Sequence, residues 1–188
     1  STGIINTEVN KNYNRCIKSF QYTNWISADH SYPRSLREGY LVLYKNCLYQ
    51  IGGEGSGRND QTYKYSFITN KWTQEFNAGN GVQAYHNAGC VYKGKLFMWG
   101  GYLSNSHYYQ LWAYDFNSVT WTTEIDSTTN MPPARYGQCG ARKDNIFYYF
   151  GGRNSGGTHY NDLWYINLDD YNDRGLVNGG SVGSTLPS

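Results

Sequence analysis

The chain has 188 residues, with 16 basic against 14 acidic side chains and a formal net charge of +2. That length allows one domain with a sizeable core. The near-balance of charge argues against a dedicated nucleic-acid or membrane-surface protein. No apolar run approaches the roughly 20 residues that a membrane-crossing helix needs.

Aromatic residues make up 18%, including 20 Tyr and 6 Trp, and there are 22 Gly. Tyr and Trp suit half-buried sheet surfaces and Gly suits turns and close backbone approach, so an all-β domain is expected. The chain opens on Ser1 with no initiating Met and no signal-like start, which predicts a processed or truncated end.

The elements fall into units. At the N-terminus, "YNRCIKSFQ" from Tyr13 and "NWISA" from Asn24 read as the last two strands of a unit, residues 1–28. Residues 29–76 and 77–124 each read as four strands. In the second of these the strands are "NAGCVY", "KLFMWG", "YYQLWAYDF" and "VTWTTEI", parted by turn residues. Residues 125–170 supply three strands, with no Trp at the fourth-strand place. Residues 171–188 end in "NGGSVGSTLPS" and read as a Gly/Ser-rich tail.

Two markers share the period. Glycine pairs stand at Gly52-Gly53, Gly100-Gly101 and Gly151-Gly152, in steps of 48 and 51 residues. Tryptophans at Trp25, Trp72 and Trp121 step by 47 and 49, each with a Phe five residues earlier. Coinciding periods define a repeat. The second strand of each unit, "LYQI", "LFMW" or "IFYYF", is apolar without alternation, which predicts cover on both faces.

On these residues the chain resembles the kelch-repeat family. The matching positions are the three glycine pairs, Tyr65, Tyr114 and Tyr165 in third strands, Trp72 and Trp121 in fourth strands, and the lead-in "PPARYGQCG" from Pro132 to Gly140. The resemblance implies a β-propeller of four-stranded antiparallel kelch blades. Two full and two partial blades are expected here, a partial propeller or a fragment to be completed by other blades or chains.

Strand order sends the loops after the glycine pairs, and those between units, to one face. A binding rim is expected there from Arg34, Arg37, Arg58, Tyr102, Asn105, His107, Arg135, Arg153 and His159, with His86 beside it. Arg grips carboxylates in pairs through its planar fork, so an acidic segment of a protein is the expected partner. His107 and His159 recur at one repeat position, but a loop-capping role is expected over a metal site. No helix follows the glycine pairs, which excludes a phosphate-binding loop.

No catalytic motif or metal-ligand pattern is present, and no cofactor is expected. The sequence therefore predicts a non-catalytic protein-interaction module of a scaffold or adaptor. A carbohydrate-binding or carbohydrate-modifying propeller is the alternative. Cys16, Cys47, Cys90 and Cys139 include no CxxC pair. Their count admits two disulfides, but buried free thiols are expected, and with them a cytoplasmic or cytoskeletal setting.

Overall fold

A computed structural model describes residues 37–55, 57–58, 61–77, 87–103 and 106–177. Arg34, His86, Asn105 and the 1–28 partial blade lie outside the described residues. Every named element is a strand. No helix among the described residues is long and apolar enough to cross a membrane.

The strands form three four-stranded antiparallel sheets, each a meander in chain order. The first holds β1 (Tyr40–Tyr44), β2 (Cys47–Ile51), β5 (Gln61–Ser66) and β6 (Lys71–Asn77). Between β2 and β5 a small hairpin pairs β3 (Glu54–Gly55) with β4 (Gly57–Arg58). The second sheet holds β7 (Ala88–Tyr92), β8 (Lys95–Leu103), β9 (Ser106–Asp115) and β10 (Thr120–Ile125). The third holds β11 (Cys139–Lys143), β12 (Ile146–Phe150), β13 (Leu163–Asn167) and β14 (Asp170–Leu176).

The third sheet corrects the expected boundary at residue 170. Residues 170–176 form a fourth strand paired with β13, so this blade is complete and the strand takes the first part of the expected tail. Tyr171 explains the omission. Trp72, Trp121 and Tyr171 are each the second residue of a fourth strand, and Tyr171 packs on the core beside Phe97 as the missing Trp would.

Each sheet turns from its first to its second strand in two residues, with positive φ at Lys45, Lys93 and Asp144. In two of these turns the left-handed residue, Lys45 or Asp144, directly precedes an asparagine, Asn46 or Asn145. In the other, Lys93-Gly94, both residues take positive φ.

Two cores lie between the sheets. Tyr49 and Ile51 of the first sheet meet Leu96, Met98 and Tyr114 of the second. The opposite face of the second sheet, with Phe97, Trp99, Leu111 and Ala113, meets Phe147, Tyr149, Trp164 and Ile166 of the third. The middle sheet is thus covered on both sides, which is why β8 has no polar alternation. Leu111 and Trp112 point to opposite faces. Leu111 is fully buried against the third sheet, while Trp112 is half-buried with its edge on Tyr108.

The described cysteines are free. Cys90 is buried and its thiol pKa is pushed up to about 12, chiefly by desolvation, so it is inert at neutral pH. Cys139, expected to be buried, is exposed on β11.

Candidate functional site

Two glycine pairs directly follow second strands β2 and β12 and the third lies within the longer β8, and Gly100, Gly101, Gly151 and Gly152 all take positive φ, as do Gly52 and Gly53. Each pair lets the incoming segment of a blade lie against it. The Gly101 amide donates to the Arg135 carbonyl at 3.0 Å, and a side chain on Gly152 would meet the Tyr136 carbonyl at 2.9 Å. The lead-in from Met131 to Gln138 is therefore held over the connections that follow the glycine pairs, and the side chains it carries there define the site.

Arg135 departs from the expected rim. It is fully buried, and so is Asp162, with which it forms a two-point ion pair; the Nη2–Oδ2 arm is 3.0 Å. Its Nε donates to the Pro133 carbonyl and Nη1 to the Gly151 carbonyl, at 3.1 and 3.0 Å. Its guanidinium lies 3.7 Å over the Tyr160 ring, and Trp164 Nε1 donates to Asp162 at 2.9 Å. Arg135 locks the lead-in to the third blade and is unavailable to a partner.

Its neighbour Tyr136, which the sequence reading passed over, organises the rim. Tyr136, Tyr102 and His107 form a closed aromatic cluster with ring centroids 4.9–5.2 Å apart. Tyr102 and His107 face each other across the extended β8–β9 hairpin. Arg153 stacks its guanidinium 4.8 Å over Tyr136 and exchanges two backbone hydrogen bonds with it, at 3.0 and 2.9 Å. The Arg153 side chain is exposed and joins no ion pair with the described residues. It is a cation held in place by a ring and a bridge, with its donors turned to solvent.

Three of the nine sequence-predicted residues, Tyr102, His107 and Arg153, thus come together. His159 is exposed and joins only through its backbone bridge to Arg153. Arg37 is exposed on the lead-in of the first blade, with its carbonyl 3.0 Å from where a Gly53 side chain would start. Arg58 closes the β3–β4 hairpin opposite Glu54. Among the described residues no three His, Cys, Asp or Glu side chains gather as metal ligands.

His107 Nε2 is buried and has no hydrogen-bond partner among the described residues. Desolvation, and secondarily the Arg153 charge, hold the imidazole pKa below its ordinary 6.5. As pH falls, the unfolded chain takes up this proton before the folded one does. The stability His107 contributes is full above its ordinary value and is lost on acidification below it. Thermal midpoints at neutral and mildly acidic pH should fall less in His107→Phe, which keeps the ring stack, than in wild type. Equal falls would refute the assignment.

The description KLHDC2/KLHL20/DRC7 Kelch-repeats domain matches residues 29–180, most of the chain. The chain belongs to the kelch-repeat family. It is 34% identical over 90 residues to Kelch domain-containing protein 2 of Mus musculus, covering 43% of this chain and 21% of that one. It is 35% identical over 79 residues to Kelch domain-containing protein 1 of the same species, covering 39% and 19%. Kelch domain-containing protein 2 of Homo sapiens is 34% identical over 72 residues, 34% of this chain and 18% of that one. The matched stretch spans about a fifth of the length of these kelch relatives. The three four-stranded sheets are kelch blades.

Proposed function

We propose that this kelch module works without catalysis, as part of a scaffold or adaptor, and holds an acidic segment of a protein partner on the loop face. The observation that carries this is the Tyr102–His107–Tyr136 cluster with Arg153 stacked on it. Tyr and Arg are the side chains that concentrate binding energy at interfaces. Arg153 is already ordered, so less entropy is lost when a carboxylate docks on it. Blades or chains outside this one complete the assembly.

Recovery of partners on the immobilised full chain, followed by titration of the partner found, tests the reading. Arg153→Ala and Tyr102→Ala should each weaken binding about 10-fold or more, the range of a good hot-spot residue. Arg153→Lys should recover little, because the stacked planar fork is lost. Unchanged affinity in both alanine variants would sink the site. Glycan-array binding lost in the same variants would favour a carbohydrate ligand instead.

A further inference from the structure

Two groups of the rim contend for positive charge. Arg153 is a fixed cation, stacked 4.8 Å over the Tyr136 ring. His107 lies against the same ring, with centroids 4.9 Å apart. The guanidinium and the imidazole therefore stand within about 10 Å of each other, a range over which unit charges still act at low salt. His107 Nε2 is buried with no acceptor among the described residues. Whichever nitrogen carries the hydrogen of the neutral ring, the imidazolium carries one on both. A proton on His107 thus meets two costs, a buried N–H without an acceptor and a cation one ring away.

Among the described residues the other neighbours do not offset these costs. Tyr102, opposite His107 across the hairpin, and Tyr136, on the lead-in, bring phenols, which carry no charge near neutral pH. Arg135, beside Tyr136, is turned inward and its charge is matched by Asp162. His159, bridged to Arg153 through the backbone, is exposed and brings no negative charge.

We propose that this site takes up a proton when it binds: an anionic group docking on Arg153 drives protonation of His107, so acidic segments are held more tightly as pH falls. The inference rests on the acidic-segment reading above and adds its regulation. A carboxylate on the exposed Arg153 fork cancels the nearby cation, which removes one of the two costs of charging His107. The coupling is reciprocal: the factor by which the anion favours the proton is the factor by which the proton favours the anion. The free-site pKa of His107 lies below its ordinary 6.5, and the bound anion raises it. Above the bound-state value affinity does not depend on pH. Between the two values it climbs on acidification, and below the free-state value it levels at the full gain.

Calorimetric titration of the full chain with hexaglutamate, at about pH 7.5 and about pH 5.5 in low salt, reads the effect where the probe's carboxylates stay mostly ionised. Wild type should bind about 2–10-fold more tightly at the lower pH. NMR titration of the His107 ring should show the matching rise in its pKa, about 0.3–1 unit, when the probe is bound, the size of one unit charge at this separation. Arg153→Gln should raise the same pKa by a similar amount with no probe present. His107→Phe should bind equally at both pH values, and His159→Gln should keep the wild-type slope. Equal wild-type affinity at both pH values overturns the proposal, as does a slope that survives in folded His107→Phe or vanishes in His159→Gln. Should His107→Phe not fold, the wild-type ring decides: a His107 pKa that saturating hexaglutamate leaves unmoved overturns the coupling. Hexaglutamate that binds without a slope sinks this inference alone. Hexaglutamate that binds at neither pH takes the acidic-segment reading down with it.

Discussion

Arg135→Ala should destabilise the chain by about 3–5 kcal/mol, the cost of leaving a buried charge without its partner. For a chain of this size that lowers the thermal midpoint by roughly 6–20 °C. Asp162 has no exposure, and Arg135 is the cation beside it. Alanine would also strip hydrogen bonds from the Pro133 and Gly151 carbonyls and a cation from the Tyr160 face. Asp162→Asn should cost less, because a neutral amide still accepts from Trp164 and from Arg135. Arg135→Met combined with Asp162→Leu should cost less than the two single changes summed, because no charge is then stranded. Recovery stays incomplete, since Trp164 Nε1 loses its acceptor. Urea denaturation on wild type, Arg135→Ala, Asp162→Asn, the double variant and its singles Arg135→Met and Asp162→Leu measures this; a cost for Arg135→Ala under about 1 kcal/mol, the range of a surface pair, would contradict the burial.

Gly100→Ala should be costly for two separable reasons. The left-handed φ of 70° carries about 1–2 kcal/mol of strain for any residue with a Cβ. That Cβ would also stand 2.6 Å from the Tyr149 hydroxyl and 3.1 Å from the Gln138 amide nitrogen. Tyr149 is locked in the core and Gln138 donates to the Trp99 carbonyl, so neither can move freely. Gly151 is the control. Its φ is also 70°, but its Cβ would meet only the Tyr160 carbonyl, at 3.3 Å. Gly100→Ala should therefore exceed Gly151→Ala by about 1–3 kcal/mol, the cost of overpacking a filled core. Adding Tyr149→Phe should narrow the gap by removing the oxygen. Equal costs at both glycines would show that φ alone matters.

The repeat was legible because its markers are local. A glycine pair after an apolar strand, and a Trp opening the fourth strand, each need only a few consecutive residues to be seen. Where a marker changed identity the reading stopped short: Tyr171 does the work of Trp72 and Trp121, and the strand β14 around it was taken for the start of a tail. The site was less legible, because exposure is not a local property. Arg135 and Tyr136 are adjacent, yet one is buried by Asp162, 27 residues away, and the other carries the rim. Charge drew attention to the first of the pair. The signal for the second is the alternation itself: once Arg135 is turned inward, its neighbour is turned out.

The lead-in of the third blade belongs to two sheets at once. Its Arg135 backbone bonds to Gly101 and Tyr108 of the second, and its guanidinium and Tyr136 bond to the third. The unit that can be duplicated, shuffled or grafted is therefore offset from the sheet. A blade cut from Cys139 to Leu176 would leave behind the residues that seat it. A transferable module has to begin near Met131, so recombination within such an array is tolerated between a fourth strand and the following lead-in and penalised between lead-in and sheet.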